Sequence, residues 1–152
     1  MSGEIDFIAA AGDAEMLATV VQRLKGDSGT IHLVGTDGLL HLQAATPGFP
    51  EVVMAAIRTI PVGKGMAGLC AQRRAPVDAC NIQTDTTGDV RPGARATALS
   101  GAIVVPILRG DALIGTLGVG NRSERVFTQA EIDDLQALGR AIALRYPQAA
   151  AL

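Results

Sequence analysis

The chain has 152 residues, a net charge of −2 and an apolar share of 48%. This length fits one domain, 1–152, and the interspersed charges leave no basic patch for nucleic acid or an anionic membrane. No apolar run approaches the ~20 residues that cross a bilayer. The acidic start MSGEIDF lacks the basic region of a secretory signal, and two cysteines are too few for a disulfide scaffold, so we expect a cytoplasmic protein.

The N-terminal third predicts a helical segment and a hairpin. Residues 1–26 carry an apolar stripe at helical spacing, which Gly12-Asp13 either interrupts or restarts with Asp13 as N-cap. The stripe comprises Ile5, Ile8, Met16, Leu17, Val20, Val21 and Leu24. Two β-prone runs, 30–34 and 39–45, flank a Thr-Asp-Gly turn and predict a β-hairpin. Residues 50–57 then predict a short helix beginning near Pro50.

Residues 63–68, GKGMAG, match the G-x-G-x-x-G pattern of dinucleotide-binding turns. Such a turn needs a buried strand before the glycines, then a full crossover helix and a parallel strand. Here the preceding run, residues 60–62, contains a proline, and another proline closes the following helix near Arg74. We therefore predict an ordinary turn. Its first two glycines supply backbone freedom, and Gly68 lets the helix pack close to the sheet.

The C-terminal half predicts a second hairpin and a long helix. Residues 75–79 form a short β-prone run, the irregular polar segment 81–97 is typical of a functional loop, and 102–108 and 113–119 are the strongest strands. Thr128 and Glu131 form a capping box, with Phe127 and Ile132 as a hydrophobic staple, at the start of a helix over 128–146. Its apolar face comprises Ile132, Leu135, Leu138, Ile142 and Leu144. The order of elements predicts an α+β fold with an antiparallel sheet.

Four segments together resemble the GAF domain family: TIHLVGTDGLLHLQAATPG, IPVGKGMAGLCAQRRAPV, GAIVVPILRGDALIGTLGVGN and FTQAEIDDLQALGRAIAL. The resemblance covers the chain from about Asp13 to Tyr146. It implies a central antiparallel sheet of five or six strands, with the N- and C-terminal helices on one face and short helices and loops over a cavity on the other. It also implies a regulatory ligand or chromophore in that cavity and dimerisation through the terminal helices.

The resemblance implies that a small set of side chains bounds the cavity. The set comprises Met66, Cys70, Cys80, Arg95, Thr97, Ser100 and, from the sheet, His32. Arg95 either binds a carboxylate or another anion, or is a solvated loop arginine. The two cysteines either are small buried side chains or approach closely enough for a redox switch. Apolar walls with few polar groups suit a small, weakly polar or anionic ligand.

Subfamily signatures are incomplete in this chain. Asn121-Arg122…Phe127…Glu131 partly matches the cyclic-nucleotide-binding members and predicts only a structural clamp, in which Arg122 pairs with Glu131. The free methionine-R-sulfoxide reductases share IPVGKG-like and IVVPI-like runs, but the positions of their cysteines hold other residues here. Haem needs a histidine or cysteine ligand, and His32 and His41 both lie in the first hairpin, where a lone histidine is more often packed or solvated.

We therefore expect a stand-alone sensory or regulatory domain that binds an unidentified small molecule, without a metal and without catalysis of its own. A homodimer and a signalling partner protein are further expectations, and the cofactor is unknown. One alternative is a thiol-based enzyme or redox switch related to the reductases. Another is an interaction module whose cavity is filled by its own Met and Leu side chains.

Overall fold

The computed structural model describes residues 6–8 and 10–152, and these residues form a six-stranded sheet. The strands are β1 (Ser28–Val34), β2 (Leu40–Ala45), β3 (Thr59–Ile60), β4 (Val77–Ala79), β5 (Gly101–Arg109) and β6 (Ala112–Asn121). Their order across the sheet is β3-β2-β1-β6-β5-β4, and each neighbouring pair is antiparallel. The predicted antiparallel α+β fold is confirmed, so the glycine turn does not belong to a parallel dinucleotide-binding unit.

The helices frame this sheet. They are α1 (Asp13–Arg23), α2 (Glu51–Ile57), α3 (Gly65–Arg73) and α4 (Gln129–Ala143), with a 3₁₀ helix over Pro92–Ala96. Residues 6–8 are also helical, and Gly12 is the extended N-cap of α1, so the chain does interrupt its N-terminal helix at this point. Every described member of the predicted N-terminal stripe is buried, whereas Ile5 lies outside the described residues.

The face of the sheet that α1 and α4 cover, which we call the helix face, is a dense apolar core. Met16 and Leu17 of α1 and Leu135 and Ile142 of α4 are fully or almost fully buried there against the strands. The predicted capping box of α4 is present in both directions. Leu144 is the exception to the predicted apolar face, because α4 ends one residue before it and its side chain is 68% exposed.

A polar clamp fastens the end of β6 to the start of α4, but it is not the predicted pair. Arg125, rather than Arg122, donates to the Glu131 carboxylate. The Arg125 guanidinium also donates to Asn121 Oδ1 at 2.9 Å and lies 4.3 Å from the Phe127 ring centroid. Arg122 follows the strand directly and its side chain is exposed, while its backbone N–H donates to the carboxylate of Asp27. The loop must turn back over Phe127 before a cation can reach Glu131.

A second polar cluster ties both ends of the described chain together. Arg145 donates to the Asp13 carboxylate and to the backbone carbonyls of Ile8 and Ala11. The Tyr146 hydroxyl donates to the same carboxylate at 2.6 Å. Burial acts to raise the pKa of Asp13, but the hydrogen bonds from Tyr146 and Arg145 outweigh it and lower that pKa. The carboxylate is thus held ionised at the start of α1.

Candidate functional site

The opposite face of the sheet, which we call the cavity face, borders a cavity of about 660 Å³. Its floor is formed by β1, β5 and β6, and its roof by α2, the start of α3 and the loop around residues 91–99. Such a volume lies within the range of small-molecule sites, which is roughly 300–1,000 Å³. The predicted loop-covered hollow therefore exists in this fold.

Alternate positions of β6 carry large side chains on the helix face and glycines on the cavity face. Leu117 and Val119 belong to the helix-face core, whereas Gly118 and Gly120 border the cavity. A Cβ atom on Gly118 would lie 3.0 Å from Thr30 Oγ1, and one on Gly120 would lie 2.6 Å from a methyl carbon of Leu99. Because side chains alternate across a strand, these two cavity-face positions carry no side chain, and Thr30 and Leu99 pack directly beside them.

His32 is the buried polar side chain of the cavity floor. It is 2% exposed, and its Nε2 lies 2.8 Å from the backbone oxygen of Ile57. A carbonyl oxygen can only accept, so Nε2 must carry the proton of this hydrogen bond. Burial lowers the pKa of His32, although the bond to Ile57 acts in the opposite direction. The ring is therefore a neutral imidazole with its proton on Nε2.

The start of α3 forms one end of the cavity. Gly65, Met66 and Ala67 line it, and the backbone N–H groups of this first turn have no intrahelical partner. Gly65 has a φ of 66°, and a Cβ atom there would lie 3.2 Å from Cδ of Arg91. The absence of a side chain at Gly65 thus lets the stem of Arg91 cross the helix start.

The glycine turn is close-packed within itself. A Cβ atom on Gly68 would lie 2.5 Å from the backbone oxygen of Pro61. Gly68 does allow close packing, but the predicted partner, the sheet, was wrong. The helix packs at this point against the turn that precedes it. Gly63, with a φ of 91°, does supply the predicted backbone freedom.

Three of the predicted site residues line the cavity. They are His32, Met66 and Thr97. Cys70, Cys80, Arg95 and Ser100 do not belong to the lining. The Ser100 backbone instead bonds with Asn121 and Ile82 at the edge of the sheet. Arg95 donates to the backbone oxygens of Ile82 and Asp85, so it stabilises the roof loop from outside the cavity.

The two cysteines have different surroundings, and both are free thiols. Cys70 lies within α3 and is fully buried, and burial raises the pKa of its thiol to about 12. Cys80 is exposed after β4, so the interpretation of both as buried side chains holds only for Cys70. A reactive thiol is an ionised one, and neither cysteine places a thiolate in the cavity.

The charged residues of the lining are Lys64 and Arg91, and no carboxylate is among the lining residues. Neither cation forms an ion pair with a described residue. Sequence reasoning did not place either of them at the site. Lys64 lies inside the glycine motif, which resembled only a nucleotide-binding pattern, and Arg91 lies in the irregular loop segment 81–97, where Arg95 was the predicted arginine. In the fold, Lys64 of the glycine turn and Arg91 of the roof loop lie at the same end of the cavity, because Gly65 leaves room for the stem of Arg91.

Within the described part of the chain, no group of three or more His, Cys, Asp or Glu side chains is arranged to hold a metal ion. The same residues contain no helix that is both long enough and apolar enough to cross a membrane.

Known structures share this fold at low sequence identity. The GAF domain of an Acinetobacter phosphoenolpyruvate-protein phosphotransferase superposes with a TM-score of 0.76 at 19% identity, over 96% of this chain and 90% of that chain. The free methionine-R-sulfoxide reductase of Neisseria meningitidis, solved with its substrate, has a TM-score of 0.76 at 18% identity, over 96% and 85%. The type II reductase of Thermoplasma acidophilum has a TM-score of 0.71 at 17% identity, over 98% and 99%.

These likenesses show a fold that the GAF domain of a phosphotransferase shares with free methionine-R-sulfoxide reductases. No curated protein is significantly similar to the chain in sequence. The family model described as the GAF domain matches residues 14–144, which is most of the chain. The chain therefore belongs to the GAF domain family.

Proposed function

We propose that this protein is a sensory or regulatory GAF domain that binds a small molecule in the cavity and catalyses no reaction itself. The observation that carries this proposal is a ligand-sized cavity whose lining contains no cysteine. A thiol-dependent reduction needs a nucleophilic sulfur beside the substrate. Here one thiol is sealed within α3 and the other lies outside the lining. A cavity of this kind supports binding rather than thiol chemistry.

The enzyme remains the rival function because two of the compared structures are free methionine-R-sulfoxide reductases. The two functions are separated by assaying the purified protein for turnover of free methionine-R-sulfoxide with a thiol reductant. We expect none above background. Turnover that disappears in Cys80→Ser, or in Cys70→Ser if that variant remains folded, would replace the sensory proposal by the enzymatic one.

Native mass spectrometry of freshly purified protein tests the binding function directly. We expect a co-purified small molecule, or a mass shift with members of a metabolite panel. As a matched control, Ala102→Phe places a bulky ring on a cavity-lining position and should abolish the shift while the protein stays folded. A wild-type domain that binds nothing in the panel would favour an interaction module instead.

The predicted homodimer through the terminal helices remains a proposal, as does a signalling partner that reads the ligand state. Among the described residues, the exposed large apolar side chains of the terminal helical segments are Phe7 and Leu144. Light scattering at micromolar concentration tests this point. We expect a dimer mass that falls in the double variant Phe7→Ser/Leu144→Ser, and a monomer mass for the wild type would contradict it.

A further inference from the structure

His32 presents a hydrogen-bond acceptor that the protein does not use. Its Nε2–H is committed to the backbone oxygen of Ile57, so Nδ1 has a lone pair and no proton. No hydrogen bond from the described residues reaches Nδ1. His32 lines the cavity, and Nδ1 is not one of the fully enclosed side-chain atoms that lack a hydrogen-bond partner, so its lone pair is accessible from the cavity. A cavity-floor acceptor of this kind calls for a ligand N–H or O–H.

The start of α3 and the two cations, Lys64 and Arg91, make one end of the cavity positive. This end calls for a negatively charged group on the ligand. Unpaired N–H groups and the helix dipole favour a negative charge at a helix N-terminus, and the first turn of α3 contains no acidic residue that would satisfy them. The stem of Arg91 crosses Gly65, and Lys64 precedes it, so both cations flank this turn. With no carboxylate in the lining, the positive charge at this end is not neutralised from within the cavity.

We propose that the ligand is a small organic carboxylic acid that carries a hydrogen-bond donor on a largely apolar body. Its carboxylate binds at the first turn of α3 between Lys64 and Arg91, and its donor group hydrogen-bonds to His32 Nδ1. The apolar body lies against the apolar part of the lining, which includes Val53, Ile57 and Leu99. This proposal rests on the binding function proposed above and names the ligand class for the same cavity.

The test uses matched probes that differ by one group. Indole-3-acetate, 4-hydroxyphenylacetate and 2-hydroxyhexanoate each carry a carboxylate and a donor. Each is compared with its primary amide, which lacks the charge, and with its N- or O-methyl derivative, which lacks the donor. Binding to the full chain is measured by calorimetry and by ligand-observed NMR. We expect the acids to bind, and loss of either group to weaken binding by about tenfold, since hydrogen bonds to charged or buried groups are of that strength.

Three variants assign the two recognition elements. Arg91→Ala and Lys64→Ala should each weaken the acids about five- to tenfold and leave the amides unchanged, because only the charged group uses them. His32→Gln keeps a donor that reaches the Ile57 oxygen but removes the acceptor at the Nδ1 position. In this variant the preference for the free donor over its methyl derivative should disappear, while the preference for acid over amide remains.

Arg140→Ala is the matched control, since it removes an exposed arginine of α4 on the helix face and should bind the acids like wild type. Equal binding of acids and amides would overturn the proposal yet leave the sensory function standing. So would a donor preference that persists in His32→Gln. Failure of every acid, amide and methyl derivative to bind wild-type protein would overturn the ligand class, whereas the binding function is overturned only if native mass spectrometry also detects no ligand.

Discussion

The two faces of the sheet differ in the size and burial of the side chains that the same strands place on them. On the helix face, Ile103, Leu117 and their neighbours are fully buried under α1 and α4. On the cavity face, the alternate positions are small or partly accessible, as Ala102, Val104, Gly118 and Gly120 are. Close packing supplies most of a domain's stability, so the comparison assigns stability to the helix face and leaves binding to the cavity face.

Charged side chains also differ between the terminal helices and the cavity. Ionised carboxylates in partly buried clusters, Asp13 and Glu131, lie among the terminal helices and their connections. The cavity lining instead holds two cations without acidic partners. Polar groups with protein partners are structural, whereas polar groups without them are available to a ligand. The predictions below test this division, from the largest expected effect to the smallest.

The adjacent residues Ile103 and Val104 provide the strongest contrast, because Ile103 is fully buried in the helix-face core and Val104 is partly accessible beside the cavity. Ile103→Ala should lower the free energy of unfolding by about 3 kcal/mol, since it opens a void in a closed core. Val104→Ala should lower it by only about 1 kcal/mol, because it enlarges an existing cavity. Urea denaturation measures both, and similar losses for the two variants would contradict the assignment of stability to the helix face.

The next largest change in stability is expected at the clamp between Arg125 and Glu131. Arg125→Ala should lower the free energy of unfolding by about 2 kcal/mol, because it removes charge-assisted hydrogen bonds to Asn121 and Glu131 and the contact with the Phe127 ring. Arg122→Ala is its control, with the same change in charge at an exposed side chain and an expected effect within about 0.5 kcal/mol. The reverse ranking in thermal and chemical denaturation would restore the pair that the sequence predicted.

Low pH should destabilise the protein by protonating Asp13 and Glu131, which lie among the terminal helices and their connections. A hydrogen bond from the Thr128 backbone, followed by one from Arg125, lowers the pKa of Glu131, and that of Asp13 is also lowered. A carboxyl whose pKa is lower in the folded protein than in the unfolded chain stabilises the fold at pH values above its unfolded pKa. That unfolded pKa is 3.8 for Asp13 and 4.5 for Glu131. That stability is lost as the pH falls through the folded pKa. Stability should therefore decline below about pH 4.5.

Asp13→Asn and Glu131→Gln should each reduce this decline, measured as the difference in unfolding free energy between pH 6 and pH 3. The cavity variant Arg91→Ala should keep the wild-type difference, because no carboxylate lines the cavity. An unchanged acid response in both carboxylate variants would show that other groups control it.

The smallest effect concerns Thr116, which lies opposite His32 in the β1–β6 register. Its hydroxyl is buried without a hydrogen-bond partner. Thr116→Val keeps the shape and removes the unsatisfied group, so stability should stay constant or rise by up to about 1 kcal/mol. Thr116→Ser, which keeps the hydroxyl, should be less stable than wild type. A clear loss of stability in the valine variant would mean that the hydroxyl does have a partner.

Much of the fold followed from local patterns, because those patterns act over a few residues. Thr128 and Glu131 predicted the start of α4, since a capping box is formed within one turn. The β-prone runs 102–108 and 113–119 lie within β5 and β6, since a strand pattern needs only neighbouring residues. Arg122 was mistaken for Arg125 because both lie in one short loop, and spacing does not reveal which of them turns back over Phe127.

By itself, the sequence determined the two β-hairpins and the capping box of α4, since each depends on residues that are close in the chain. Only the tertiary structure decided which polar groups meet at the cavity. Arg91 of the roof loop reaches Gly65 of α3, Arg95 of the same loop bonds to the Ile82 and Asp85 oxygens outside the lining, and Cys70 is buried within α3. Polar contacts between distant segments require the folded chain, because no local periodicity encodes them.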